Sequence, residues 1–122
     1  MLLFAYGTLQ NPTRRAAVIG RTTPCRIVAE ASIRGALYDA GDYPALQPSD
    51  VATDRVAGVL LELDDGALAR LDDYEGVATG LYRRVRCTVD VASGGAVDAW
   101  VYLYAHSVTG LRRIAAWPVD RG

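Results

Sequence analysis

The chain contains no lysine; all thirteen of its basic residues are arginine. This removes Schiff-base chemistry on a lysine amine, and we read the bias as codon usage rather than function. Histidine occurs once, at His106, and cysteine twice, at Cys25 and Cys87. The two cysteines lie far apart and form no CxxC pair, so with one histidine they supply no zinc set. A Ser/His/Asp triad would have to use His106, and no serine sits in a nucleophile elbow. His106 follows a strand pattern closely, where surface or turn duty is expected. Each thiol is expected to pack as a small hydrophobe. Nothing in cysteine usage argues for an oxidising compartment, although a disulfide stays open at this level.

A surplus of either charge is also missing. Thirteen basic residues face fourteen acidic ones, for a formal net charge of −1. Such a balance gives no long-range attraction to phosphate backbones or anionic lipid. The tyrosines at 38, 43, 82, 102 and 104 could stack on RNA, yet no RNA-binding signature accompanies them. Neither nucleic acid nor membrane is therefore expected as a partner. No window approaches the ~20 apolar residues of a membrane span. The apolar run at Met1 to Gly7 is too short for a signal h-region and has no basic flank. The expectation is a soluble, cytoplasmic protein. With 122 residues, 51% of them hydrophobic, the chain reads as one globular domain, residues 1–122. No repeat, linker or low-complexity stretch interrupts it, and oligomeric state has no signature.

Apolar residues Leu2 to Tyr6 stop at Gly7, as a short buried strand would. A tight loop, Gly7-Thr8-Leu9-Gln10, follows, and Asn11-Pro12 reads as an N-cap with proline at the first helical position. That helix is expected through Ala17, ending before Gly20. Cys25 to Tyr38 is rich in extended-type residues, with Gly35 marking a bend or bulge. Ala40 to Pro44 is turn chemistry, Gln47 to Asp54 a polar loop, and Val56 to Leu63 a strand buried on both faces or nearly so. Asp64 caps a helix from Asp65 to about Glu75, closed by Gly76. Val85 to Val91 alternates apolar with polar residues, Ser93-Gly94-Gly95 turns, and Val97 to Tyr104 returns. One more helical turn is expected around Leu111 to Ala116.

Leu68, Leu71 and Glu75 are spaced i, i+3, i+7 and share the apolar face of the second helix, while Asp72 and Asp73 point elsewhere. A carboxylate on a core-facing stripe is costly unless it borders a pocket or finds partners. Spacing alone leaves two readings: a pocket acid, or a solvated acid on a helix that has frayed by that point. If buried, Glu75 should have a raised pKa from desolvation, from Asp72 and Asp73, and from the helix macrodipole. Such a carboxyl can act as base and then acid near neutral pH. The Tyr6-Gly7-Thr8-Leu9 loop offers successive backbone amides as a concave anion site, its glycine allowing close approach of a ligand. Arg83, Arg84 and Arg86 are expected to pair across strands with acids such as Asp90 or Asp98.

Phe4-Ala5-Tyr6-Gly7-Thr8-Leu9, Gly41-Asp42-Tyr43-Pro44-Ala45, Leu71-Asp72-Asp73-Tyr74-Glu75-Gly76, Tyr82-Arg83-Arg84 and Ala99-Trp100-Val101-Tyr102 resemble, in this order and spacing, the γ-glutamylcyclotransferase-like proteins. That group includes the γ-glutamylamine cyclotransferases and the AIG2-like proteins. The resemblance runs from Leu2 to about Tyr104, and the tail, with Gly110 to Ile114 and Trp117, is similar to a bacterial branch. It implies an α+β fold, a small mixed β-barrel with short flanking helices. It implies Glu75 as the catalytic residue, with Tyr6, Gly7, Thr8, Leu9, Tyr82 and Tyr102 in the substrate site. The implied reaction releases 5-oxoproline and a free amine from a small γ-glutamyl amine or amide, with no metal or cofactor. A non-catalytic protein that binds small acids in the same pocket, and a structural protein with Glu75 in solvent, are the competing readings.

Overall fold

In a computed structural model, which describes residues 1–118, alternation in the strands sorts side chains between two apolar cores. The elements are β1 (Leu2–Ala5), a 3-10 turn (Thr8–Gln10), α1 (Pro12–Ile19), β2 (Cys25–Asp39), β3 (Pro44–Pro48), β4 (Arg55–Leu63), α2 (Asp65–Tyr74), β5 (Tyr82–Val91), β6 (Ala96–Tyr104) and β7 (Arg112–Ile114). Hydrogen bonding runs β2–β4–β1–β6–β5 and returns to β2, which closes a five-stranded barrel. The closing seam is short, Ala31 opposite Val91 and Ser32 opposite Asp90. The β1–β6 pair is parallel and the others are antiparallel, so the barrel is mixed. The expected α+β fold is the one observed.

Because side chains alternate across a strand, Phe4 and Tyr6 face one core while Leu3 and Ala5 face the other. The first core holds Ile33, Leu60, Val89, Val101 and Leu103 with no helical residue, and it fills the barrel. The second joins Leu3, Leu61, Tyr82 and Tyr102 to Ile19 of α1 and to Ala67, Leu68 and Leu71 of α2. Both helices thus lie on one wall of the barrel. Asn11 caps α1 by accepting from the Thr13 and Arg14 amides, and Asp64 caps α2 by accepting from Ala67.

Several expectations give way. β2 continues as one strand through Gly35, where its pairing passes from β4 to β3 and an added Cβ would press on the Gln47 carbonyl and Leu46 at 3.0 Å. Close strand packing, not a bulge, calls for glycine there, and the register shift falls at Ile27 to Ala29. Gln47 and Pro48 belong to β3, which pairs with β2 from Gly35 to Asp39. The opposite edge of that segment carries β7, so the tail makes a strand where a helical turn was expected. Within Val56 to Leu63 only Ala57 and Glu62 are exposed, so one face of β4 is buried and the other partly so. α1 runs past Ala17 to Ile19 and ends before Gly20, as expected. Both cysteines are free thiols. Among the described residues no helix is long and apolar enough to cross a membrane.

Candidate active site

β1 ends in the barrel wall at Ala5, and the chain then turns outward through Tyr6 and Gly7 into the 3-10 turn. That turn closes with the Gln10 amide on the Gly7 carbonyl at 3.1 Å. The Thr8 and Leu9 amides precede the first bond of the turn, as the leading amides of any helix do. α2 ends opposite, with Glu75 as its C-cap residue. Gly76 takes φ 65°, a left-handed backbone that a side chain would resist. It reverses the chain directly after Glu75.

Between them lies a cavity of about 280 Å³, the scale of a small-metabolite site. It is lined by Tyr6, Gly7, Thr8 and Leu9, by Glu75, Tyr82 and Tyr102, and by Asp42, Tyr43 and Pro44. Arg14, Tyr74, Ala5 and Leu81 complete the wall. All seven candidate site residues from the sequence therefore meet in one cavity, although they lie on four different segments.

Glu75 is partly buried, and burial pushes its carboxyl from 4.5 up to about 7. The flanking acids and the helix end, expected to help, are not among the causes. Asp72 is turned away and bound elsewhere. Its Oδ1 and Oδ2 accept from Arg84 Nε and Nη2 at 2.8 and 3.1 Å, and Oδ1 also accepts from the Tyr102 hydroxyl at 2.8 Å. Arg84 in turn stacks 4.2 Å above the Trp100 ring. The expected cross-strand pairing of Arg84 with Asp90 or Asp98 is absent. Asp90 takes Arg55 and Asp98 takes Thr88, because α2 brings Asp72 over the outer face of β5.

Three tyrosines surround Glu75, and each hydroxyl already has a partner. Tyr6 donates to the Tyr102 carbonyl, Tyr82 to the Pro44 carbonyl, and Tyr102 to Asp72. Burial raises the pKa of all three, and the Glu75 charge adds to the rise. They stay neutral phenols, and they present ring surface to the cavity. The polar groups left for a ligand include the loop amides, the Thr8 hydroxyl, the Glu75 carboxyl, the Arg14 guanidinium, the Asp42 carboxylate and the Tyr43 hydroxyl. No grouping of His, Cys, Asp and Glu among the described residues could hold a metal ion.

Gly7 also has a packing reason. A Cβ there would meet Pro44 Cγ at 3.0 Å, so its bare backbone makes room for the adjoining wall proline. Tyr104 and His106 lie outside the cavity wall, stacked edge to face at 5.5 Å.

The family model described as gamma-glutamyl cyclotransferase, AIG2-like, matches residues 3–118. The chain belongs to that family. Among solved structures, an AIG2-like protein from Mus musculus aligns with a TM-score of 0.81 at 23% identity, over 98% of this chain and 88% of the mouse chain. A gamma-glutamyl cyclotransferase aligns with a TM-score of 0.72 at 18% identity, over 93% of this chain and 69% of the other. An uncharacterized Pyrococcus horikoshii protein aligns at 0.67 and 20% identity, over 94% and 86% of the two chains. At these identities the likeness shows the fold. No curated protein matches the chain in sequence.

Within this cyclotransferase-family barrel, sequence reasoning had missed Arg14 and Tyr74 as wall residues and had left Asp42 and Pro44 without a site role. Arg14 Nη1 donates to the Tyr74 hydroxyl at 3.1 Å across 60 residues of sequence. Its only sequence signal is one helical turn of separation from the loop, which places it on the loop side of α1.

Proposed function

We propose that the chain is a cyclotransferase that converts a small γ-glutamyl amine or amide into 5-oxoproline and a free amine, with Glu75 as general base and then general acid. One observation carries this reading. A carboxyl poised near neutrality, with no hydrogen bond among the causes of its shift, faces a loop of backbone amides across a metabolite-sized cavity in a chain of this family.

In this reading the substrate's α-carboxylate rests on the Thr8 and Leu9 amides, where oriented N–H dipoles favour an anion. The γ-glutamyl chain folds so that its α-nitrogen approaches its own γ-carbonyl carbon. Ionised Glu75 takes a proton from the α-ammonium, and the freed lone pair attacks that carbon. The tetrahedral intermediate collapses by breaking the bond to the leaving nitrogen. Protons from the α-nitrogen pass through Glu75 to the departing amine, so no water or co-reactant is consumed. Holding the ring-closing conformer is worth up to roughly 7–11 kcal/mol of barrier. The Tyr82 hydroxyl is engaged by Pro44, so stabilisation of the oxyanion falls to backbone amides.

The test is release of 5-oxoproline from a panel of γ-glutamyl amines, amides and peptides, with Glu75→Gln run beside wild type. Turnover that falls at least about a thousandfold in the variant, with ligand binding retained, is the expected result. Binding without turnover in wild type across the panel would favour a small-acid binding protein instead.

A further inference from the structure

Asp39 ends β2 and is paired across both edges of that strand, with Pro44 of β3 on one side and Arg112 of β7 on the other. Its carboxylate is divided in the same way. Oδ1 accepts from the Gly41 amide at 2.8 Å, and Oδ2 accepts from Arg112 Nη2 at 3.1 Å. The acid side chain is 12% exposed and the arginine 73%, so the carboxylate sits inside the junction and depends on these partners. Beyond it the chain crosses to β3 through Ala40 to Tyr43, closed by the Ala40 amide on the Tyr43 carbonyl at 3.0 Å. Gly41 takes φ 90° there, and an added Cβ would meet nothing within 4 Å. Backbone conformation, not space, calls for that glycine. The same turn brings Asp42 and Tyr43, both exposed, to the cavity.

We propose that Asp39 is a positioning residue for substrate binding: its carboxylate, braced by Arg112, holds the Ala40 to Tyr43 turn against the cavity and makes the tail strand β7 part of the binding apparatus. The proposal rests on the cyclotransferase reading and deepens it. Neither Asp39 nor Arg112 borders the cavity, so both act only through the turn. At the other end of the turn the Pro44 carbonyl accepts from the Tyr82 hydroxyl, which ties it to β5. Asp42 and Tyr43 are thus suspended between two fixed ends. β7 does not depend on Arg112 for its own docking. Arg113 Nη2 donates to Asp54 Oδ1 at 3.0 Å, its guanidinium lies 5.8 Å above the Tyr38 ring, and Trp117 packs in the barrel core. Loss of Arg112 therefore removes the brace and leaves the tail in place. Glu75 is delivered by α2, which the Asp39 bonds do not touch, so the effect belongs to KM and not to kcat.

The experiment compares Asp39→Ala, Asp39→Asn and Arg112→Gln with wild type on the best substrate of the γ-glutamyl panel. Asp39→Ala loses both bonds and is expected to raise KM about tenfold, with kcat held within about twofold. Asp39→Asn keeps an oxygen for the Gly41 amide and loses only the ion pair. It and Arg112→Gln should each raise KM about two- to fivefold, the scale of an exposed pair, and the double variant should be no worse than either. Should Asp39→Ala fail to fold, these milder variants carry the test. A merely structural role would lower the unfolding midpoint and leave KM at the wild-type value; that result, or additive effects in the double variant, would overturn the proposal. If no compound yields 5-oxoproline, the cyclotransferase reading fails, and amide hydrogen exchange decides the positioning. Faster exchange of the Ala40 amide in Arg112→Gln, with the β1 amides unchanged, would sustain it; an unaltered Ala40 amide would refute it.

Discussion

Tyr102 donates to Asp72 Oδ1 at 2.8 Å, which ties the cavity wall to the helix that ends at Glu75. Arg84 grips the same carboxylate through two nitrogens. Asp72 lies three residues before Glu75, so these bonds set where α2 delivers the carboxyl. Asp72→Ala should leave the partly buried Arg84 and the Tyr102 hydroxyl without their acceptor. A loss of roughly 1–3 kcal/mol in urea unfolding is expected, with kcat reduced more than substrate affinity. An unchanged unfolding midpoint together with wild-type kcat would contradict this role.

Burial makes Glu75 itself a source of pH-dependent stability. Its folded pKa, about 7, lies above the ordinary 4.5. Below pH 4.5 the carboxyl is protonated in both states and costs nothing. As pH rises from 4.5 toward 7 the unfolded chain ionises first, and stability falls. Above 7 the cost is complete, at most roughly 3 kcal/mol. Glu75→Gln should therefore be more stable than wild type at pH 8 and equal to it at pH 4. Denaturant unfolding at the two pH values would show the crossover, and a constant difference would argue against a desolvated carboxyl.

The same ionisation should appear in the rate. A base that must be ionised in the free enzyme predicts that kcat/KM climbs with pH through an apparent pKa near 7. A pH profile on the best substrate of the panel checks it. A limb near pH 4.5 would mean that the working carboxyl is fully solvated.

Gly7→Val places side-chain atoms against Pro44, whose Cγ would already lie 3.0 Å from a Cβ. Since Pro44 also accepts from Tyr82, the displacement should distort two walls of the cavity. Binding of γ-glutamyl ligands or 5-oxoproline is expected to weaken at least about tenfold while far-UV circular dichroism stays native. Wild-type affinity would show that the wall can yield.

Tyr82→Phe removes the donor to Pro44 and leaves the ring in place. It should cost about 1 kcal/mol of stability and less than about tenfold in kcat, which assays of both would measure. A loss in kcat of a hundredfold or more would return the hydroxyl to the reaction as an oxyanion donor.

Much of this site was legible before the structure because local pattern and function coincide there. Leu68, Leu71 and Glu75 share a face by helical spacing, and the strand, glycine and turn at Ala5 to Gln10 announce the loop in sequence. What escaped depends on distant partners. β3 is bounded by Pro44 and Pro48, which reads as loop because proline lacks a ladder donor. It forms as an edge strand on β2. β7 has only Arg112, Arg113 and Ile114, too few to show alternation. The Asp72–Arg84 pair and the Arg14–Tyr74 contact exist only because the helices pack on one wall of the barrel. Nothing local to either arginine marks that contact.

The pairing of β1 has a consequence for how the site comes into being. No strand adjacent in sequence supports it; its partners are β4 and β6, far along the chain. The strand end of the loop is therefore anchored only once β1 pairs over long sequence separations, the slow kind of contact in folding. Glu75 reaches the cavity only when α2 docks on β5 and β6. A partly folded chain therefore holds no half-competent pocket. This predicts that site assembly and completion of the fold go together, so that a substitution at the β2–β5 seam would be felt at the loop as lost occupancy rather than as altered chemistry.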